Sequence, residues 1–318
     1  MQPVDRPIAK SASGEQACPD CVVGHGRDAP PGVILKPFPR AFRVLAMYSG
    51  DVSSIRPITL DMLRRMKTAG EKIVSLTAYD ASFAAQMDAA GVEWVLVGDS
   101  LGMVIEGFES TLPVTLDTMV HHTRAVARGL RRGLLVADLP FGSCNTPEQA
   151  MQSAVRLMQE GGARMVKLEG GALQVELVAY LTTRGVPVCA HIGLQPQFVH
   201  KLGGYKVQGR GAEQAATMCR AAEALVSAGA DMLLLECVPA ALATEITASV
   251  PVPVIGIGAG AGVDGQVLVL YDILGISIGK RPRFSKDFLV GTGSIAEALQ
   301  RYVRAVKQGE FPAAEHTF

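Results

Sequence analysis

Six ionisable residues, far apart in the chain, close or interrupt apolar runs. Asp99 follows residues 94–98, Asp138 follows 134–137, Lys167 and Glu169 lie within 165–169, His191 follows 186–190 and Glu236 follows 232–235. Successive strand side chains point to opposite faces, so Lys167 and Glu169 share one face, as a buried ion pair or as part of a site. Hard divalent cations such as Mg2+ take oxygen ligands, often only one or two carboxylates, with water and substrate filling the rest. Asp99 and Asp138 supply those carboxylates, and Glu169 is placed to bind directly or through a water. The absence of a Cys and His cluster among these residues argues against zinc.

A metal held this way polarises the carbonyl of a 2-oxo acid and stabilises the enolate left when the adjacent carbon loses its proton. Lys167 adds positive charge where the oxyanion develops. Glu236, preceded by Leu233, Leu234 and Leu235, sits in apolar surroundings that raise a carboxylate towards the range of a useful general base. Proton abstraction alpha to a carbonyl is the reaction class these residues support. Each has a structural alternative. Asp99 and Asp138 could cap the following helices, His191 could be a satisfied core histidine, and Glu236 could pair with Arg210. Gly258 and Gly260 could be turn residues only, and Ser100 could bond only to its neighbours.

For these residues to meet, the runs must be parallel strands. Near-continuous apolar runs are the pattern of strands covered on both faces, and ionisable residues at their C-terminal ends converge on one rim of a barrel. The alternation opens at Ile58 with a short amphipathic helix (Leu60, Leu63, Met66) suited to plugging a barrel from below. Residues 73–76 read as the first strand, followed by a helix from Asp80 to a stop at Gly91. Leu116, Met119, Val120, Thr123, Val126 and Ala127 have the spacing of a helix docked on a sheet. Thr146, Pro147 and Gln149 open another. A glycine-rich loop at 203–211 has the composition of a lid or binding loop. The seventh strand is expected at 252–256 and the eighth within 272–278, and Ser294 and Glu297 cap a final helix. About 250 residues suit a (β/α)8 barrel. No G-x-G-x-x-G follows the first strand, which lowers an open dinucleotide-binding sheet.

The chain has 318 residues with 30 basic and 30 acidic side chains, so no charge excess points to nucleic acid or an anionic membrane. Trp94 is the single tryptophan, which argues against a base-stacking surface, and no apolar run is long enough to span a bilayer. Residues 1–56 are rich in Pro, Gly and Arg without an amphipathic period, and read as a disordered or loosely attached extension ahead of a single catalytic domain over 57–318. Asp5, Glu15, Asp20 and Asp28 intrude on a mitochondrial transit pattern. The expected location is therefore the cytoplasm, with a mitochondrial address left open, and Met47 is an alternative start. Cys18, Cys21 and His25 lack an obvious fourth zinc ligand. Cys144, Cys189, Cys219 and Cys237 read as reduced residues.

Several blocks together resemble one family. They are Val97-Gly98-Asp99-Ser100-Leu101-Gly102, Ala137-Asp138-Leu139-Pro140-Phe141, Val166-Lys167-Leu168-Glu169-Gly170-Gly171, residues 203–211, Leu235-Glu236-Cys237-Val238-Pro239 and Ile255-Gly256-Ile257-Gly258-Ala259-Gly260. In order from Ile58 onward they resemble the 3-methyl-2-oxobutanoate (ketopantoate) hydroxymethyltransferases. The resemblance implies a barrel of the phosphoenolpyruvate/pyruvate superfamily and the first committed step of pantothenate synthesis. In that step 5,10-methylenetetrahydrofolate donates a one-carbon unit to 3-methyl-2-oxobutanoate, giving 2-dehydropantoate. It also implies Asp99, Asp138 and Glu169 as the Mg2+ site, Asp99, Ser100, Asp138 and Lys167 as substrate contacts, Glu236 as proton acceptor with His191 in support, and a homodecamer. Tyr271 departs from the family, whose members often have His before Asp272, and the extension lies outside the family core. A Mg2+-dependent carbon-carbon lyase of the same superfamily and a non-catalytic metabolite-binding barrel are the alternatives. The first lacks its Lys-Lys-Cys-Gly-His block here, and the second would have lost the base.

Overall fold

Eight strands pair in sequence order, all parallel, and the eighth closes on the first. They are β1 (Ile73–Thr77), β2 (Trp94–Val97), β3 (Leu134–Asp138), β4 (Met165–Glu169), β5 (Val188–Gly193), β6 (Met232–Glu236), β7 (Val254–Ile257) and β8 (Gly265–Leu268). The computed structural model of the chain describes residues 56–318. All but the last residue of the extension assigned to 1–56, with the Cys18, Cys21 and His25 cluster and the alternative start at Met47, lies outside the described residues.

Ten helices follow a first one, α1 (Leu60–Ala69), along the described chain: α2 (Ala81–Ala90), α3 (Leu101–Val104), α4 (Leu116–Gly129), α5 (Pro147–Gln159), α6 (Val175–Thr182), α7 (Val199–Leu202), α8 (Ala212–Ser227), α9 (Ala240–Ser249), α10 (Leu270–Ile273) and α11 (Ile295–Lys307). Helices α1, α2, α4, α5 and α11 begin where side-chain oxygens cap exposed N–H groups. Asp80 Oδ1 accepts from the Ser82 and Phe83 N–H groups at 2.8 and 2.9 Å, and Thr146 Oγ1 accepts from Gln149 N–H at 3.2 Å. Gly91, at φ 94°, ends α2 in a conformation costly for any side chain. None of the described helices is long and apolar enough to cross a membrane.

The N-terminal helix lies beneath the barrel. Lys67 Nζ reaches Asp264 Oδ2 at 2.7 Å and the Thr247 carbonyl at 2.9 Å, and Arg64 reaches Asp231 Oδ1 at 2.6 Å. Asp231 and Asp264 directly precede β6 and β8, so α1 is tied to the N-terminal ends of the strands, opposite the rim that carries the acids. Those carboxylates also accept the Val188 and Val254 N–H groups, which start β5 and β7. Leu63 and Met66 are buried on its inner side.

Two strand readings need correction. The eighth strand is Gly265–Leu268, and the expected stretch at 272–278 starts inside the helical turn α10. The strand escapes a search for apolar runs because it opens on glycine and carries a glutamine. Gln266 is buried yet satisfied, its Nε2 donating to the Gly260 carbonyl at 2.9 Å. β5 runs on to Gly193, so His191 lies within the strand and not beyond its end. The seventh strand begins at Val254, after Pro253, which has no N–H to give a ladder.

Leu63→Ala removes a fully buried side chain from the plug. The expected loss is about 2–5 kcal/mol, read as a lower urea midpoint with an unchanged denaturant slope.

Candidate active site

Parallel pairing delivers the sequence-predicted residues to one rim. Asp138 and Lys167 are register partners across β3 and β4, Glu169 and His191 across β4 and β5, and Gly193 and Glu236 across β5 and β6. Asp99 and Ser100 follow β2 directly. Asp99, Ser100, Asp138, Lys167, Glu169, His191 and Glu236 all line a single cavity of about 740 Å3.

Lys167 is the hub. Its ammonium lies 2.9 Å from Asp138 Oδ1, 3.8 Å from Glu169 Oε1 and 3.1 Å from His191 Nδ1. Burial alone would drive a lysine towards neutrality, but the charges of Asp138, Glu169 and Asp99 outweigh it and hold Lys167 above its ordinary range. His191 is pushed the other way, by burial and then by the Lys167 charge, and is kept neutral. A neutral imidazole has one N–H. With an ammonium at Nδ1, that hydrogen belongs on Nε2, which faces Glu236 Oε2 at 3.4 Å. Glu236 itself is pushed up to about 8 by burial, then by the charges of Glu169 and Asp138. Lys167 pulls the other way.

Gln197 is the residue that sequence reasoning missed. It stands in a short turn, Pro196–Phe198, after β5. Its Nε2 donates to Asp99 Oδ2 at 2.8 Å and to the Leu139 carbonyl at 3.0 Å, while its backbone N–H donates to Glu169 Oε2 at 3.0 Å. One glutamine therefore ties the ends of β2, β3 and β4 together. Its sole signal in the sequence is an amide beside a proline after an apolar strand, which many turns share. Tyr79 was missed too. Its hydroxyl meets Ser100 Oγ at 2.9 Å, and its ring packs 5.9 Å from that of Tyr271. Tyr271 thus backs the tyrosine that positions Ser100.

The structural alternatives for the acids are not what is seen. Asp138 Oδ2 accepts the Asp99 backbone N–H at 3.0 Å, and α5 is capped by Thr146, so Asp138 caps no helix. Ser100 precedes α3 but makes no side-chain cap. Glu236 faces His191, not Arg210. From the 203–211 loop, Tyr205 lines the cavity and its hydroxyl meets the Met103 sulfur at 3.6 Å. Gln208 N–H donates to the Cys237 carbonyl at 2.9 Å, tying the loop to the residue after Glu236. Cys144, Cys189, Cys219 and Cys237 are free thiols.

Four carboxylates face one ammonium. Burial, then repulsion from Asp138 and Glu169, holds the Asp99 carboxyl well above the usual range, and burial also raises Asp138 against the pull of Lys167. Burial works to raise Glu169 as well, but the His191 ring beside it, then Lys167 and the Gln197 N–H, keep it below that range. Glu169 Oε1 is buried without a hydrogen bond, and Asp138 Oδ1 is met by the Lys167 ammonium at 2.9 Å. Among the described residues no three His, Cys, Asp or Glu side chains are arranged as a ready metal cluster. Lys167 lies against Asp138, while Gln197 engages Asp99 and Glu169.

The family model for ketopantoate hydroxymethyltransferase matches residues 57–314. The chain belongs to the ketopantoate hydroxymethyltransferase family. A 3-methyl-2-oxobutanoate hydroxymethyltransferase of Alkalilimnicola ehrlichii is 57% identical over 273 residues, covering 86% of this chain and 99% of that protein. The hydroxymethyltransferase barrel also resembles 2,3-dimethylmalate lyase, a PEP mutase/isocitrate lyase superfamily member, with TM-score 0.50 and 15% identity over 69% of this chain and 84% of that one. Phosphonopyruvate hydrolase in complex with oxalate and Mg2+ aligns with TM-score 0.52 and 15% identity over 79% and 98% of the two chains. At such identity these structures show the barrel fold and not the chemistry. The family membership makes the chain a transferase and decides against the lyase and the non-catalytic barrel.

Gln197→Leu removes donors from Asp99 and the Leu139 carbonyl, and is expected to cost about 1–3 kcal/mol in urea unfolding at pH 8. A second expectation concerns Glu236, whose folded pKa of about 8 lies above its ordinary 4.5. The folded state holds that proton more tightly, so the contribution is complete below the ordinary value and lost as pH rises through about 8. Glu236→Gln should therefore melt higher than the unsubstituted protein at pH 9 and equally at pH 4, by calorimetry.

Proposed function

We propose that the rim converts 3-methyl-2-oxobutanoate into a carbon nucleophile and transfers to it the one-carbon unit of 5,10-methylenetetrahydrofolate, giving 2-dehydropantoate, the first committed step of pantothenate synthesis. The observation that carries the reading is Glu236, a carboxyl raised to about 8, facing the cavity that Lys167 and Ser100 also line. A base with a pKa near the working pH combines the right protonation state with driving force.

The oxo acid is negatively charged, and Lys167 is the cation buried among the acids. Lys167 anchors its oxygen end, where negative charge grows as the enolate forms. Ser100, its hydroxyl held by Tyr79, donates to the same end. Glu236 takes the C3 proton, and the electron pair left on C3 bonds the one-carbon unit. Overall one water is taken up, supplying the hydroxyl oxygen, and tetrahydrofolate leaves. His191 Nε2 packs 3.4 Å from Glu236 Oε2 and limits where the carboxyl can move.

The donor set fits Mg2+. All its candidate ligands are hard oxygens, the buried Glu169 Oε1 lacks a hydrogen bond, and four acids face one ammonium. Asp99 and Asp138 would hold the ion, with Glu169 directly or through a water, and Asp99 and Asp138 would also border the oxo acid. Mg2+ bound there supplies Lewis-acid polarisation of the 2-oxo group. The Mg2+ and oxalate of phosphonopyruvate hydrolase support this by analogy of fold. We also infer a cytoplasmic homo-oligomer, decameric by family resemblance. The exposed Phe141 and Leu173 are apolar surface that an assembly would cover.

With Mg2+ in D2O, 3-methyl-2-oxobutanoate is expected to lose its C3 proton signal without folate, and to form 2-dehydropantoate only once methylenetetrahydrofolate is added. Proton NMR reads both. Glu236→Gln should slow exchange at least a hundredfold, and full exchange in that variant would remove Glu236 from its role. Asp138→Asn should weaken Mg2+ and oxo acid together by calorimetry.

A further inference from the structure

The cavity is larger than its acidic end requires. Pockets for drug-sized molecules run about 300–1,000 Å3, so a volume of about 740 Å3 is sized for far more than a five-carbon acid. The acids and Lys167 take the wall built by β2 to β6. The wall beyond β6 has different chemistry.

Glu236 is joined to that second wall through the backbone. Cys237 N–H donates to the Ile257 carbonyl at 2.9 Å and Val238 N–H to the Gly258 carbonyl at 3.2 Å. Gly258, at φ 61°, is covered by two aromatic rings. A Cβ there would lie 3.0 Å from Phe284 and 3.1 Å from Phe318, so the rings rest on the glycine because it has no side chain. Ile278, 80% exposed, continues the apolar surface, and Lys280 and Arg283 flank it. The nearby acid Asp287 faces Arg281 at 3.8 Å, leaving Lys280 and Arg283 without a carboxylate partner among the described residues. Arg283 spends its Nε on the Glu315 carbonyl at 3.0 Å, and its guanidinium lies 5.6 Å from the Phe318 ring centre.

Carbon-carbon bond formation constrains where a second substrate can enter. The carbon to be transferred must touch the C3 atom that Glu236 deprotonates, so its carrier must lie against a wall adjoining Glu236. The β2 to β4 side supplies the acids and, after β2, the apolar Met103, Val104 and Phe108 beside Glu109, with no cation but Lys167. The Phe284 and Phe318 wall is apolar, aromatic and next to Glu236, with cations at its outer edge.

We propose that this second lobe seats the reduced-folate co-substrate. Phe284, Phe318 and Ile278 pack its flat ring system, and Lys280 and Arg283 hold the carboxylates of its glutamate tail. The assignment rests on the folate reading given above and deepens it by naming the residues. Ring faces that stack on aromatic side chains, joined to an anionic tail, are the chemistry this lobe recognises, and each added glutamate gives the two cations more charge to bind.

The test uses a non-reacting probe, 5-formyltetrahydrofolate, in monoglutamate and triglutamate forms, titrated calorimetrically into the full-length protein with Mg2+ and the oxo acid present. The unsubstituted protein should bind the triglutamate about tenfold more tightly. In the double variant Lys280→Glu, Arg283→Glu that preference should disappear. Phe284→Leu, which keeps a side chain over Gly258, should weaken both forms by a similar factor and leave the preference intact. Melting of each variant serves as the check on folding. Unchanged affinities for both forms in both variants would overturn the assignment while leaving the folate reading standing. If the unsubstituted protein binds neither form and makes no folate-dependent product, the folate reading itself falls, and the assignment with it.

Discussion

The charge of one lysine organises this protein's rim. Lys167 is buried among Asp138, Glu169 and Asp99, and its ammonium is the nearest cation available to any of them. Remove that charge and three carboxylates share a low-dielectric pocket with nothing opposite in sign, a state proteins avoid by protonating or by unfolding locally. With it, negative charge still exceeds positive. That remaining imbalance makes the site receptive to a hard cation and to the oxygen end of an oxo acid.

Backbone geometry sets the distances over which that charge acts. Parallel register places Asp138 opposite Lys167 and Glu169 opposite His191, so each group meets its partner across one strand spacing. Close approach of β5 to β6 depends on Gly193, where a Cβ would strike the Glu236 backbone. Gln197 then fixes what the strands leave loose, binding Asp99, Leu139 and Glu169 at once. Binding groups and base are thus held by different means. The acids of β2 to β4 are tied by an amide, whereas Glu236 is held by its strand and by one imidazole edge.

Much of this was legible in the chain. Apolar runs ending in Asp99, Asp138 and Glu236 announce parallel strands, because only strands covered on both faces can be apolar throughout, and the position of each acid then follows from the closure of the barrel. The eighth strand was not legible. Its glycine and satisfied glutamine hide the pattern, and only pairing with both β1 and β7 identifies it. Gln197 and Tyr79 were likewise invisible, since a turn glutamine and a tyrosine just past a strand look ordinary until their partners arrive from distant segments. The separation of the cavity into an acidic end and an aromatic end was equally hidden.

Taken alone, the sequence determined the element types, the parallel barrel and the identities of the groups that carry charge, because these depend on local periodicity and residue chemistry. Only the tertiary structure decided which of those charges meet. Lys167 goes to Asp138, Gln197 bridges three strand ends, and Phe284 and Phe318 lie over Gly258 beside Glu236. Such contacts join residues tens to nearly a hundred positions apart, and their strength depends on distance and burial, which no pattern along a single strand or helix encodes.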